Sequence, residues 1–358
     1  MTTGIRRRPR YVVAAAIASG GMGSVHFGYA LGPGGFRRLV AIKRVHPQFA
    51  EDEAFVAMFM HEARLAAEIS HPNVCAALDV VAESGDLFMV MDYVHGATLA
   101  ELFRATLKTG ERIPPAIAVG VMVGVPRGLQ AAHEAVDIEG AHLNIVHRDV
   151  SPPNVLVGVD GVARLADFGV ARSMASAAAT RTGLVGKVGY LSPEQVAGES
   201  ASAKSDLFAA ATVLWELLSG ERLFRVPNND AATLERIRDA APPPLLGLPA
   251  LDDVLKRALA RRPSARYATA RDMANALEKC NVPASPDEVG AWVARVARVE
   301  LATRAELSGE PSLRAHNAAI GGGVEPEAFE TLTLRMEEPP PSRASLRTSG
   351  PGSKLTRA

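Results

Sequence analysis

The chain has 358 residues, 47% hydrophobic and 22% charged, enough for one large domain or two modest ones around a well-buried core. Lysine plus arginine number 39, as do aspartate plus glutamate, so no global charge draws the protein to nucleic acid or to an anionic lipid surface. Cys75 and Cys280 are the two cysteines; without metal-type spacing between them, they read as incidental thiols of a reducing compartment.

Taken in chain order, Arg6-Arg7-Arg8 ahead of the apolar run Tyr11 to Ala18 imitates a secretion signal. The run is short and passes straight into a glycine cluster, which favours a first β-strand feeding a loop. Further strands are expected at Val25–Tyr29 and Leu39–Val45, with Gly32-Pro33-Gly34-Gly35 as a turn between them. A helix is expected from about Asp52 to Ile69, then strands up to Val94, then a mainly helical chain from about Leu99 to residue 279. No stretch of about 18 uninterrupted apolar residues is present, so no transmembrane helix is expected, and Leu207–Leu218 has the length of a buried core helix.

Composition shifts after residue 280. Ser285-Pro286-Asp287-Glu288 combines an N-cap serine, a proline at N1 and a glutamate at N3, a capping box. Val289, Trp292, Val293 and Val296 then form an apolar stripe, expected to dock on the preceding domain, with a regulatory partner as the alternative. Beyond about residue 309, glycine, proline, serine and arginine dominate, including Pro339-Pro340-Pro341, and a disordered tail is expected.

The chemistry-bearing residues fall in three groups. Ala18-Ser19-Gly20-Gly21-Met22-Gly23-Ser24-Val25 lies between two expected strands, where glycines let backbone N–H groups close over phosphate oxygens. Val40-Ala41-Ile42-Lys43 ends an apolar strand on a lysine that needs an anionic partner if buried. Phe55, Phe59, Glu62, Ala66 and Ile69 share one helix face, so Glu62 is a carboxylate within an apolar stripe and is expected to be paired. On pattern alone that pair could be purely structural. The third group is Val146-His147-Arg148-Asp149-Val150-Ser151-Pro152-Pro153-Asn154-Val155-Leu156, followed by Asp167-Phe168-Gly169, Ser192-Pro193-Glu194, Ser205-Asp206 and Arg266.

In this order the motifs resemble those of a protein kinase, over about residues 11–279, and the segment Val146–Val157 is similar to that of bacterial eukaryotic-like Ser/Thr kinases. The resemblance implies an α+β, two-lobed kinase fold: a small β-rich N-lobe with one key helix (about 11–91) and a larger helical C-lobe (about 95–279). A C-terminal helix at 280–308 and a Pro/Ser/Arg-rich tail at 309–358 follow. It implies ATP and Mg²⁺ as cofactors and proteins with Ser/Thr acceptors as substrates, in the cytoplasm. Ile17 and Ala18 to Val25 would contact the nucleotide. Lys43 would hold the α- and β-phosphates while paired with Glu62, and Asp149 would take or orient the acceptor proton. Asn154 and Asp167 would be the metal ligands. Met91 would be the gatekeeper, Asp92 and Val94 the hinge, and Val25, Ala41 and Leu156 the residues enclosing the base. Thr180 and Thr182, with Ser173 and Ser176 behind them, are candidate phosphorylation sites facing Arg148. Glu194 with Arg266 is expected to be a buried structural pair, and Asp206 to anchor the catalytic loop.

Three positions depart from the family pattern. Ala18 replaces the first loop glycine, and Ser151 stands where Ser/Thr kinases usually carry a lysine that meets the γ-phosphate. Lys187, in Gly186-Lys187-Val188-Gly189-Tyr190, replaces a threonine expected to touch that lysine and the aspartate. The last two read as one exchange in which Lys187 supplies the cation that Ser151 cannot; a solvated surface lysine is the alternative. A catalytically inert scaffold is the competing reading of the whole chain. The presence of Lys43, Glu62, Asp149, Asn154 and Asp167 together weighs against it.

Overall fold

The computed structural model describes residues 10–83, 86–168, 187–239, 241–245, 247–280, 283–310, 313 and 332–333. The first half of the small lobe is an antiparallel meander: β1 (Tyr11–Gly20), β2 (Gly23–Leu31) and β3 (Arg37–Val45). Two helices follow, α1 (Pro47–Ala50) and α2 (Glu53–Ala67), then β4 (Ala77–Glu83) and β5 (Asp86–Asp92), with β5 pairing against β3. Alternation sets the faces: in β3, Ala41 and Val45 join the cluster under α2, whereas Val40 and Ile42 pack on the opposite face with Tyr11, Val13 and Phe88. The Asp52 side chain starts α2 by accepting from the N–H groups of Ala54 (2.9 Å) and Phe55 (3.2 Å). The helix lays Phe55, Phe59, Ala63 and Ala66 against the sheet and ends at Ala67, two residues short of the sequence expectation.

The larger lobe opens with β6 (Gly96–Thr98), α3 (Leu99–Thr109) and α4 (Pro115–His133). A small sheet that the sequence did not announce then forms, as β7 (Val155–Gly158) and β8 (Ala163–Leu165) pair in the order β6-β7-β8. After it come α5 (Pro193–Val196), α6 (Ala203–Ser219), α7 (Asp230–Asp239), α8 (Pro249–Ala258) and α9 (Ala270–Cys280). Helix α6 buries thirteen of its seventeen residues, Leu207 to Leu217 among them, so it is apolar all round and sits at the centre of the lobe. Helix α4 is long and apolar enough to cross a membrane by length and composition, yet 72% of that stretch is buried against the rest of the lobe, with α6, α9 and β8 packed on it. It is a core helix.

Two helices follow where one was expected: α10 (Pro286–Val296) and α11 (Arg298–Ser308), parted at Ala297, whose φ of −97° and ψ of 23° leave the helical region. Helix α10 begins with the capping box, Ser285 Oγ accepting from Glu288 N–H (3.3 Å), and buries Val289, Trp292 and Val293 on the large lobe. The Gly161 turn receives it: φ is +73°, and a Cβ there would stand 1.9 Å from the Pro286 carbonyl oxygen. Helix α11 then runs past the connection between the lobes. Arg304 donates to the Gly96 carbonyl (2.6 Å) and to Glu101 (2.6 Å) on the large lobe. At the far end Tyr29 OH of β2 donates to the Ser308 carbonyl, and Arg37 meets Glu310 at 3.0 Å. A two-residue strand, β9 (Leu332–Thr333), adds to the open edge of β1.

Candidate active site

The glycine-rich segment is the β1–β2 hairpin itself. Ile17, Ala18, Ser19 and Gly20 come up β1, Gly21 and Met22 form the turn, and Gly23, Ser24 and Val25 return in β2, with Ala18 opposite Val25. Gly23 is required by close approach, since a Cβ would lie 2.0 Å from the Arg44 carbonyl oxygen of β3. The tip bends down onto β3: His46 N–H donates to the Met22 carbonyl (2.9 Å), and the His46 ring bonds the Gly20 carbonyl (3.0 Å). Met22, Val25, Ala41, Met91, Val94 and Leu156 all join one apolar cluster, so the residues expected to enclose a base are brought together.

At the hinge, Asp92 N–H is committed to the Ala76 carbonyl (3.0 Å), while its own carbonyl accepts from the buried Cys75 thiol (3.3 Å). The second lone pair of that carbonyl and the Val94 backbone are what the hinge offers a base. A cavity of about 290 Å³ nearby is lined by Arg38, Cys75, Asp92, His95, Asp160 and Arg164 among others, and by none of Val25, Ala41 or Leu156. It shares Asp92 and Val94 of the hinge with the expected base contacts.

The catalytic loop hangs from α6. Asp206, 1% exposed, accepts from His147 N–H (2.8 Å) and Arg148 N–H (2.9 Å), and His133 of α4 bonds the same carboxylate at 2.9 Å. These bonds hold Arg148 at φ +65°, a left-handed conformation that costs a non-glycine residue roughly 1–3 kcal/mol; Asp167 sits likewise at φ +61°. His147 is fully buried, and burial pushes its imidazole below the ordinary range despite nearby Asp206 and Asp149, so it is neutral. Its Nδ1 accepts from Asp149 N–H (3.3 Å) and its Nε2 donates to the Ala166 carbonyl (3.1 Å), while its ring packs on Phe168 with centroids 4.5 Å apart. One imidazole thus fastens the loop carrying Asp149 to the segment carrying Asp167.

Asp149 is buried, and its Oδ2 accepts from Asn154 Nδ2 (2.8 Å) and from the Lys187 ammonium. Asn154 Nδ2 also donates to the Asp149 carbonyl (2.8 Å), which turns its Oδ1 outward as an oxygen ligand. Lys43 Nζ donates to Asp167 Oδ1 at 2.6 Å. Burial alone would raise the Asp167 carboxyl, but the Lys43 ammonium, with Lys187 adding to it, holds it below the usual carboxylate range and therefore ionised at neutral pH. An amide oxygen and an ionised carboxylate are the hard donors that Mg²⁺ takes in ones and twos, the rest of its shell coming from phosphate and water; these residues fit it.

One expectation is corrected. Lys43 is not paired with Glu62; Lys43 has gone to Asp167, and Glu62 accepts from Arg148 Nη1 at 3.4 Å. The sequence placed Glu62 correctly on the inner face of α2, but spacing cannot say which of two cations a carboxylate meets. The expected structural pair has Arg266 Nη1 and Nη2 each 2.7 Å from a Glu194 oxygen, with Ser205 Oγ at 2.8 Å. Thr180, Thr182, Ser173, Ser176 and Gly169 lie outside the described residues. Sequence pattern does not reveal the roles of His147, though it lies within its motif, or of His133, which nothing local links to Asp206 73 residues away.

Comparison with known proteins agrees with this geometry. Residues 11–277 match the family model described as a protein kinase domain. The chain is 35% identical over 273 residues to the tyrosine-protein kinase MasK of Myxococcus xanthus, a match covering 75% of this chain and 42% of MasK. It is 36% identical over 275 residues to the serine/threonine-protein kinase PknL of Mycobacterium tuberculosis, covering 75% and 65%. Among solved structures, the kinase domain of M. tuberculosis PknI superimposes with a TM-score of 0.57 at 27% identity, over 78% of this chain and all of that one. The chain thus spans from about two fifths to about two thirds of the length of these curated relatives.

Proposed function

The chain belongs to the protein kinase family, and from that premise we propose that it transfers the γ-phosphate of ATP to Ser/Thr hydroxyls of proteins. The observation that carries the reading is the convergence, beneath one glycine-rich hairpin, of Lys43 on Asp167 and of Asn154 on Asp149. Drift in an inert scaffold would have no reason to keep all four in bonding contact. The base of ATP lies among Val25, Ala41, Met91 and Leu156, against Asp92 and Val94. Lys43 turns from Asp167 to the α- and β-phosphates. Asp149 accepts the proton of the acceptor hydroxyl as that oxygen bonds to the γ-phosphorus and the bridging oxygen leaves on ADP. Asn154 and Asp167 would hold Mg²⁺, which would supply charge neutralisation on the phosphate oxygens.

The domain division at about residue 279, the cytoplasmic setting and autophosphorylation at Thr180 or Thr182 belong to the same proposal. A second reading, transfer to tyrosine, is favoured by the likeness to MasK. Both are tested by incubating purified protein with labelled ATP and Mg²⁺ beside Asp149→Asn and Lys43→Met, then mapping phosphosites by mass spectrometry. Phosphoserine or phosphothreonine absent from both variants supports the proposal, phosphotyrosine alone favours the second reading, and incorporation that survives in Asp149→Asn refutes both.

A further inference from the structure

The catalytic loop of this protein contains no ammonium. Position 151, two residues after the base, is a serine with no exposure, whose hydroxyl reaches only the Asp149 carbonyl at 3.4 Å. His147 is buried and neutral, and Arg148 is directed at Glu62. Transfer of a phosphoryl group spreads negative charge over its three equatorial oxygens beside the proton-accepting carboxylate, so a cation is needed there. Among the described residues the ammonium bonded to Asp149 comes from elsewhere in the chain, from Lys187.

Two observations make that contact more than a surface ion pair. Lys187 bonds Oδ2, the same oxygen that Asn154 Nδ2 holds at 2.8 Å, so two donors converge on one atom of the base. And its backbone is not a loose loop. Tyr190 N–H donates to the Lys187 carbonyl (3.1 Å), closing a helical turn over Val188–Tyr190; Tyr190 OH donates to the buried Glu216 (2.8 Å), which Arg222 meets at 2.6 Å. The side chain keeps 34% exposure while its root is anchored on α6.

We infer that Lys187 is a catalytic residue, the cation that steadies the γ-phosphoryl oxygens during transfer. It rests on the kinase reading above and deepens it. As the acceptor oxygen bonds to phosphorus and the bond to the bridging oxygen breaks, Lys187 donates a hydrogen bond to the moving group and keeps its own proton; the hydroxyl proton goes to Asp149 and the electron pair of the broken bond leaves with ADP.

The test measures kcat and KM for ATP on dephosphorylated casein, with the melting temperature, for wild type, Lys187→Ala, Lys187→Arg and Lys187→Ala/Ser151→Lys. Loss of one such donor lowers kcat on the order of 10² to 10³-fold. The expected result is that fall in Lys187→Ala at unchanged KM for ATP and melting temperature, with at least a tenfold recovery when Ser151→Lys returns an ammonium to the loop. Lys187→Ala within threefold of wild type overturns the assignment. So does a rise in activity, which would make the contact a latch on the base, or a fall that neither Lys187→Arg nor Ser151→Lys relieves. An inactive wild type removes the kinase reading itself, and is told apart because every variant is then silent.

Discussion

Removing the Glu194 carboxylate should destabilise the protein more than any surface ion pair could. Arg266 has no exposed side-chain area, and its donors are all engaged: Nε on the Ala260 carbonyl (2.8 Å), Nη1 on Glu194 and on the Lys204 carbonyl (2.9 Å), Nη2 on Glu194 and on the Arg261 carbonyl (3.1 Å). Glu194→Ala deletes the only counter-charge among the described residues and leaves the guanidinium buried, a change that costs about 3–5 kcal/mol. At about 2–4 °C per kcal/mol for a large domain, the melting temperature should fall by roughly 6–20 °C. Glu194→Ala/Arg266→Met removes the orphaned charge as well and should recover a good part of the loss. Differential scanning calorimetry on wild type, Glu194→Ala, Arg266→Met and the double variant decides it. A Glu194→Ala shift below about 2 °C, or a double variant as damaged as the sum of both singles, would refute the argument that an uncompensated buried charge sets the magnitude.

The same pair fixes a pH dependence. Burial would raise the Glu194 carboxyl, but its bonds from Arg266 and Ser205 bring it below the ordinary value, so its stabilisation is complete above the unfolded pKa of about 4.3 and is lost as pH falls through the lower folded value. Acid titration of the melting temperature should therefore show a drop starting below about pH 4.5, smaller in Glu194→Gln. Arg304→Ala strips a bonded cation from the Gly96 carbonyl and Glu101 and should cost about 1–3 kcal/mol, read as a lower urea midpoint at unchanged slope. Burial pushes the Cys75 thiol up to about 12, so alkylation at pH 8 should leave it unmodified in the folded protein and label it rapidly in guanidinium; equal rates would contradict the burial.

Much of this architecture is written in local pattern. The β1–β2 hairpin, the inner face of α2 and the capping box of α10 follow from periods of two and 3.6 and from end signals, all of which act within a few residues. The break between α10 and α11 was not legible, because Val296-Ala297-Arg298 carries neither proline nor glycine; the turn forms so that α11 can reach the small lobe, a tertiary demand. The partner of Glu62 was not legible for a related reason. Lys43 and Arg148 are both long cations within its compass, and the choice depends on where α2 sits, which depends on what occupies the cleft. Ser151 and Lys187 could be read as an exchange because both depart from one pattern; their contact with the same aspartate needed coordinates.

The passage of α11 across both lobes has a consequence in linkage. A helix that holds Gly96 and Glu101 through Arg304, and whose last carbonyl, on Ser308, accepts from Tyr29, ties the two lobes together, so a change in the angle between them strains those contacts. Whatever free energy a bound nucleotide spends or gains in setting that angle is therefore shared with the seating of this helix. Reciprocity then requires that anything altering the seating alter nucleotide affinity by the same factor. On the kinase reading, the seating of α11 is then a second handle on the cleft, some 150 residues further along the chain than Asp149.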